Sequence, residues 1–137
     1  MNKTTIIIDD DKISVFLLKI LLKNSEIVPG DILTMDGEKA LEYFSSSASH
    51  HTEFLVFLDL RMPGMNGWEL LEHFNRFSFS ENIFVVIVSA SAEKNDYIKA
   101  FENKLVVDYL TKPLDKYKIC NLTSTLEILG FGCVNRI

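Results

Sequence analysis

Five short apolar runs divide this chain, and a helix-like pattern or a loop follows each of them. The runs cover residues 6–8, 31–35, 54–58, 83–88 and 105–110, and the second is the weakest. The third and fourth are apolar at consecutive positions, so both faces of these strands are expected to be buried. Strands buried on both faces and separated by helices predict an α/β fold, in which a parallel sheet carries helices on both sides.

The first predicted helix carries apolar residues at i, i+3, i+4, i+7 and i+8, and this stripe is expected to face the core. Asp10 or Asp11 could cap its first turn. The last helix is expected to begin after Asp115 and to stop at Gly130. The stripe of the first helix comprises Ile13, Phe16, Leu17, Ile20 and Leu21.

Length and charge narrow the class of protein. A chain of 137 residues with 47% apolar residues can form one domain with a buried core. A net charge of −5 argues against direct binding of nucleic acid. The sequence contains neither a run of about 18 apolar residues nor a signal peptide, so we expect no membrane insertion and a cytoplasmic location. Cys120 and Cys133 match no metal or redox spacing, and Cys120 is expected to be a buried apolar residue on the last helix.

Polar residues end the predicted strands. Because right-handed crossovers bring the carboxyl ends of parallel strands to one edge of the sheet, these residues are expected to converge. They are Asp9 and Asp10 after the first strand, Asp59 after the third, Ser89 at the fourth, and Thr111 with Lys112 at the fifth.

Three carboxylates at one edge need either shared protons or a cation. Two carboxylates about 4 Å apart repel by roughly 4 kcal/mol at an effective dielectric constant near 20. An all-oxygen donor set favours Mg²⁺, or Mn²⁺, over zinc. Lys112 supplies a fixed positive charge and Ser89 a hydroxyl donor. A carboxylate can accept a phosphoryl group covalently, and Asp59, at the end of the central apolar run, is the best candidate.

Each of these residues has a plain structural explanation when it is taken singly. Acidic residues before a helix are commonly caps, Asp59 could be a turn residue, and Lys112 could be solvated. It is their occurrence together at several strand ends that indicates phosphoryl chemistry.

Four segments carry a resemblance to a known family. They are IIIDDD at residues 6–11, LDLRMPGMNG at 58–67, VSA at 88–90 and YLTKP at 109–113. With these motifs the chain, from about residue 2 to residue 129, resembles the receiver domain of response regulators in two-component signalling. The resemblance implies a flavodoxin-like, doubly wound (βα)5 three-layer sandwich with a parallel sheet of order 2-1-3-4-5. Residues 1–137 are then one receiver domain, with a core over about 2–129 and a short tail over 130–137.

The resemblance also implies roles for individual residues. Asp59 corresponds to the phosphorylated aspartate. Asp10 and Asp59 correspond to direct Mg²⁺ ligands, the backbone carbonyl of Arg61 to a further ligand, and Asp9 to an acid that acts through water.

The remaining roles concern the phosphoryl group and its readout. Lys112 corresponds to the phosphate-contacting lysine, Ser89 to the switch hydroxyl and Tyr109 to the switch aromatic residue. A cis peptide bond is expected between Lys112 and Pro113.

The implied function is a signalling switch and not a turnover enzyme. The implied phosphoryl donor is a histidine kinase or a histidine-containing phosphotransfer protein, and the output is contact with a downstream protein. Tyr97, Phe101 and Tyr109 are candidates for that contact surface, although packing in the core is the simpler explanation for Phe101. Asn103 stands near the position of a common family glycine and could end the fourth helix. Arg61, two residues after Asp59, is expected to alter the phosphoryl lifetime.

Other interpretations stay open. The chain could be a receiver fragment of a hybrid kinase or of a longer regulator, although Met1 favours a complete protein. It could be an interaction module with a degenerate acidic site. Asp9 and Asp11 also have the D-x-D spacing of haloacid-dehalogenase-like phosphohydrolases, for which Asp115 alone is a poor later acidic partner.

Overall fold

Strands and helices alternate along the whole described chain, which comprises residues 2–25, 28, 31–46 and 51–130 of a computed structural model. The strands are β1 (Asn2–Ile8), β2 (Ile32–Met35), β3 (Thr52–Leu58), β4 (Ile83–Ser89) and β5 (Val106–Thr111). The helices are α1 (Lys12–Ser25), α2 (Gly37–Ser46), α3 (Gly67–Arg76), α4 (Lys94–Glu102) and α5 (Lys116–Ile128), with a 3-10 turn at Ser80–Asn82. The predicted order of elements is confirmed.

All five strands are parallel, and their order in the sheet is β2-β1-β3-β4-β5. One face of the sheet packs against α2, α3 and α4, where Phe44 and Phe74 are fully buried. The other face packs against α1 and α5, where Leu22 and Leu122 are fully buried. The predicted three-layer, flavodoxin-like fold is therefore confirmed.

Side-chain caps fix where several helices begin. The Asp11 carboxylate accepts hydrogen bonds from the N–H groups of Ile13 and Ser14. Asn66 and Asp115 cap α3 and α5 in the same way. These caps satisfy first-turn N–H groups that have no partner within the helix.

Asn103 ends α4, as expected, but its backbone is extended (φ −84°, ψ 121°) and not left-handed. Its side-chain oxygen accepts hydrogen bonds from the Leu105 N–H at 3.0 Å and from Asn75 Nδ2 at 3.2 Å. The amide side chain, and not a left-handed backbone, therefore stabilises this turn.

The prediction for the buried face of α1 was wrong except at Leu21, which is partly buried and packs against the core. Leu18 and Leu22 are buried against the sheet, whereas Ile13, Phe16 and Leu17 are 71%, 62% and 55% exposed. Because α1 is apolar around most of its circumference, two helical stripes fit the sequence, and only packing selects between them. The helix thus presents an exposed apolar stripe, which comprises Ile13, Phe16, Leu17 and Ile20.

Two other predictions concern Cys120 and the C-terminal tail. Cys120 is exposed on α5, contrary to prediction, because Ile119 and Leu122 supply the buried face of that turn. Of the tail predicted at 130–137, residues 131–137, Cys133 included, lie outside the described residues. Within the described ranges, none of the helices combines the length and apolarity that crossing a bilayer requires.

Two glycines shape the loop that follows β3. Gly64 has a φ of +79°, which side chains disfavour. Gly67 begins α3 so close to β3 that an added Cβ would lie 2.6 Å from the Asp59 carbonyl oxygen and 2.7 Å from Leu60 Cα. The Gly67 N–H also donates to the Leu60 carbonyl at 3.0 Å. Glycine at 67 is therefore what lets α3 approach the strand end that carries Asp59.

Candidate functional site

The central strands bring the acidic residues together. Ile8 pairs with Leu58 in the sheet, so Asp9 and Asp59 follow neighbouring strand ends at the same level. The Asp59 N–H donates to the Ile8 carbonyl at 3.0 Å, which extends the ladder by one residue. The convergence of Asp9 and Asp59 thus follows from strand register.

Asp9, Asp10 and Asp59 form one cluster. Each offers a carboxylate oxygen, and these oxygens all lie within 4.8 Å of one another. The side chains of Asp59 and Asp9 are buried and Asp10 is exposed, so the cluster runs from the sheet to the surface. The cluster is therefore accessible to a ligand from outside.

Lys112 faces this cluster from the end of β5. Its Nζ lies 3.0 Å from Asp9 Oδ2, 3.6 Å from Asp59 Oδ2 and 3.3 Å from Ser14 Oγ. The peptide bond that follows, Lys112–Pro113, is cis, as expected. Lys118 donates to the carbonyl oxygens of Thr111 at 2.5 Å and Pro113 at 2.8 Å. The Lys112 ammonium group is thus held by Asp9, Asp59 and Ser14, and Lys118 holds the backbone on both sides of Lys112.

The environment of Asp59 favours its neutral form. Burial is the main cause that raises its pKa to about 6, and the Asp9 charge adds to the rise. The hydrogen bond from the Arg61 N–H to Asp59 Oδ1, 3.1 Å long, and the Lys112 charge act in the opposite direction. One ammonium group therefore does not compensate three carboxylates, and the site is electrostatically suited to a further cation.

The donor set fits a hard divalent cation. Three carboxylate oxygens from Asp9, Asp10 and Asp59 could bind a metal, and oxygen donors of this kind suit Mg²⁺ or Mn²⁺. The Asp11 carboxylate is turned away to cap α1, and the hydrogen bond from Ser14 is the main cause that lowers its pKa. Because Asp11 caps the helix, the D-x-D interpretation loses its second carboxylate.

Ser89 and Tyr109, on the neighbouring strands β4 and β5, both form a hydrogen bond with Ser91. Ser89 is completely buried at the end of β4, and its Oγ accepts a hydrogen bond from the Ser91 N–H at 3.1 Å. Tyr109 is buried too, and its hydroxyl donates to the Ser91 carbonyl at 2.9 Å. Both residues are thus tied to the β4–α4 loop.

Tyr97 and Phe101 extend from Tyr109 to the surface. The Tyr97 ring lies 5.4 Å from that of Tyr109 and 4.8 Å from that of Phe101. Both Tyr97 and Phe101 are exposed, so core packing does not explain Phe101. A continuous aromatic row therefore connects the buried Tyr109 to the outer face of α4.

Sequence reasoning missed several polar residues around the site. Ser14 contacts Lys112, while Ser91 and Asp96 form a hydrogen-bonded pair that also contacts Arg61. No local motif distinguishes these residues from ordinary surface serines and aspartates. The capping position of Asp11 fixes the start of α1 and thereby the position of Ser14, but the contact with Lys112 is visible only in three dimensions.

Asp59→Asn should stabilise the metal-free protein at pH 7. The folded pKa of about 6 exceeds the unfolded value near 4. The wild type therefore loses stability as the pH rises from about 4 to 6, because the unfolded chain releases its proton first. The variant's advantage should be on the order of 2 kcal/mol at pH 7 and should disappear below about pH 4. Urea unfolding in the presence of a chelator measures it.

Asp11→Asn is the matched control for that experiment. Asn caps helices as well as Asp does, and the pKa of Asp11 is lowered instead of raised. The control should therefore lose a little stability at pH 7. An Asp59→Asn protein that is less stable than the wild type at pH 7 would contradict the electrostatic account of the cluster.

Comparison with known proteins agrees with this geometry. The chain is 35% identical over 81 residues to the probable methanogenesis regulatory protein FilR2 of Methanothrix harundinacea, a match that covers 58% of this chain and 52% of that protein. It is 29% identical over 117 residues to the response regulator PleD of Caulobacter vibrioides, covering 84% of this chain and 24% of PleD. The chain therefore spans about half or less of these relatives.

Solved structures show the same architecture. A two-component response regulator from Cytophaga hutchinsonii superposes with a TM-score of 0.79 at 27% identity, covering 93% of this chain and 98% of that one. The family model of the response regulator receiver domain matches residues 5–124, which include every residue of the candidate site. The chain belongs to the response regulator receiver domain family.

Proposed function

We propose that this chain is a phosphoacceptor switch, in which Asp59 takes a phosphoryl group from a histidine kinase or a histidine-containing phosphotransfer protein. The observation that carries the proposal is the buried Asp59 carboxylate, within 4.8 Å of the oxygens of Asp9 and Asp10 and 3.6 Å from Lys112 Nζ. Receiver domains are signalling domains, which is consistent with reversible phosphorylation and not with turnover of a substrate. The cytoplasmic location and the single-domain organisation over 1–137 stay predictions.

The proposed cofactor is Mg²⁺, with Mn²⁺ as a substitute. Asp10 and Asp59 would hold it directly, together with the backbone carbonyl of Arg61, and Asp9 would act through water. When bound, the ion would supply Lewis-acid stabilisation of charge on the phosphoryl oxygens. The donor set supports this choice, because every member is an oxygen.

The proposed transfer needs little more than positioning and charge. A carboxylate oxygen of Asp59 attacks the phosphorus of a phosphohistidine, so that a P–O bond forms while the P–N bond breaks. The electron pair of the broken bond stays on the imidazole nitrogen. Lys112 Nζ, already within 3.6 Å of Asp59, would neutralise charge on the incoming phosphoryl oxygens. Later attack by water on phosphorus would release inorganic phosphate and restore the carboxylate.

Ser89 and Tyr109 are proposed to read the phosphorylation state. A phosphoryl oxygen would attract the Ser89 hydroxyl, which now accepts from the Ser91 N–H. Because Tyr109 also binds Ser91, a change at that loop would reach the exposed Tyr97 and Phe101. This two-state coupling would alter the surface that a downstream protein contacts.

The exposed apolar stripe of α1 is the proposed contact surface for the phosphoryl donor. The stripe lies beside the site, since Ser14 on the same helix contacts Lys112. A cavity of about 350 Å³ opens between α1 and the β5–α5 loop, lined by Leu17, Leu18 and Pro113 as well as by Asp9 and Lys112. Exposed apolar patches of this kind mark interaction surfaces. A helical donor could bury its own apolar face here while it presents a phosphohistidine to Asp59.

Phosphorylation of Asp59 is tested by intact mass. After incubation with phosphoramidate and Mg²⁺, the wild type should gain one phosphoryl mass, whereas Asp59→Asn should gain none. Asp10→Asn should lose most of the metal-dependent labelling. Asp11→Asn, which preserves the helix cap, should label like the wild type. A wild type that gains no mass would contradict the proposed function.

Substitutions on α1 test the donor surface separately. The double variant Ile13→Gln and Phe16→Gln should accept phosphoryl from phosphoramidate at the wild-type rate. It should accept it at least about fivefold more slowly from any purified phosphotransfer protein that labels the wild type, because central apolar contacts typically contribute about 1 kcal/mol or more. Ile128→Gln, at an equally exposed apolar position on α5, is the control. Equal rates from the protein donor in all three proteins would rule out this surface.

A further inference from the structure

Arg61 contacts both the acidic cluster and α4. Its backbone N–H donates to Asp59 Oδ1 at 3.1 Å. Its guanidinium extends the other way, with Nη2 at 3.3 Å from Asp96 Oδ2. Asp96 lies in the first turn of α4, 35 residues further along the chain. One residue therefore connects the phosphoacceptor to the helix of the proposed output surface.

Asp96 is a shared acceptor. The same oxygen, Oδ2, also accepts a hydrogen bond from Ser91 Oγ at 2.6 Å. The Asp96 side chain is 20% exposed, whereas that of Arg61 is 68% exposed. Asp96 is therefore fixed by its loop and helix, and Arg61 is the freer partner of the ion pair.

Ser91 connects this ion pair to the two predicted switch residues. Its hydroxyl donates to Asp96, its N–H donates to Ser89 Oγ, and its carbonyl accepts from the Tyr109 hydroxyl. All three polar groups of one residue are thus engaged, each with a different element of the switch. A change in the ion pair between Arg61 and Asp96 would therefore act directly on Ser91.

Lys112 and Arg61 differ in how firmly their cationic groups are held. Lys112 Nζ contacts Asp9, Asp59 and Ser14 from a half-buried position. Arg61 makes one side-chain ion pair at the surface, and exposed pairs of this kind are weak. A phosphoryl group carries close to two negative charges on three oxygens, which a guanidinium can bind through two N–H groups at once. A phosphoryl group on Asp59 can therefore compete with Asp96 for Arg61.

We propose that Asp96 is a positioning residue that holds Arg61 in the unphosphorylated protein, and that a phosphoryl group on Asp59 takes the guanidinium over and releases Asp96. The inference rests on the proposed function. The exchange breaks an ion pair between the β3–α3 loop and α4, so that phosphorylation loosens α4 through charge in addition to any movement of Ser89. It also gives the predicted effect of Arg61 on the phosphoryl group a direction: Arg61 favours the phosphorylated state and Asp96 opposes it.

If Asp96 and the phosphoryl group compete for Arg61, substitutions at residues 96 and 61 should change the affinity for a phosphoryl mimic in opposite directions. Beryllofluoride with Mg²⁺ mimics a phosphoryl group on a carboxylate, and calorimetry gives its dissociation constant. Asp96→Asn should bind it about two- to sixfold more tightly than the wild type, because an exposed ion pair no longer withholds Arg61. Arg61→Ala should bind it about threefold more weakly, or worse, because a cation is lost. Independent through-space effects of the two charges would also have opposite signs, so the double variant decides between these effects and the competition.

The double variant Arg61→Ala and Asp96→Asn provides the control. Without Arg61 there is nothing for Asp96 to withhold, so the double variant should bind beryllofluoride as Arg61→Ala does. Asn at 96 can still accept the Ser91 hydroxyl, and thermal unfolding checks that each variant is folded.

The outcomes separate the two proposals. Equal affinities in all four proteins, or shifts of one sign, would overturn the competition and leave the proposed function standing. A wild type that neither binds beryllofluoride with Mg²⁺ nor gains phosphoryl mass would overturn both.

Discussion

Burial of one carboxylate beside two others at one end of a parallel sheet is the constraint on which the site depends. Asp59 is buried, and burial together with the Asp9 charge raises its pKa to about 6. A folded protein keeps such a group only where other charges compensate it or where function requires it. Lys112 compensates in part, at 3.0 Å from Asp9 and 3.6 Å from Asp59. The remaining negative charge is what a divalent cation would balance.

The contribution of the fold to the site is to bring these carboxylates together. Parallel register brings Asp9 next to Asp59, and the close approach at Gly67 packs α3 against the strand that Asp59 follows. The Arg61 N–H contacts Asp59, while hydrogen bonds join Ser89, Ser91 and Tyr109 at the neighbouring strand ends. Ser91 also reaches Asp96, which binds Arg61. The charge on Asp59 is thereby connected to an exposed face some distance along the sheet edge, which is the arrangement a switch needs.

Much of this arrangement could be predicted from sequence, for a physical reason. Apolar runs buried on both faces and separated by helices favour a parallel sheet, and its carboxyl edge gathers Asp9, Asp10, Asp59 and Lys112 regardless of their separation along the chain. The buried face of α1 could not be predicted, because its apolar residues fit two stripes and the sheet selects Leu18 and Leu22.

The contacts of Arg61 could not be predicted from the sequence, for a different reason. The Arg61–Asp96 pair joins residues 35 positions apart on elements that are not neighbours in sequence. Such side-chain contacts depend on the rotation of α4 and on the course of two loops, which periodicity does not encode. Sequence therefore predicted the groups at the strand ends and missed the polar residues that connect them to the surface.

The most direct test of the central claim is chemical mapping of the phosphorylated residue. Protein labelled with phosphoramidate and Mg²⁺ is reduced with borohydride, which converts an aspartyl phosphate to homoserine, and its peptides are sequenced by mass spectrometry. We expect homoserine at position 59 and unmodified aspartate at positions 9 and 10. Homoserine at position 9, or a stable phosphoryl group on a serine with Asp59 unmodified, would contradict the assignment of Asp59 as the phosphoacceptor.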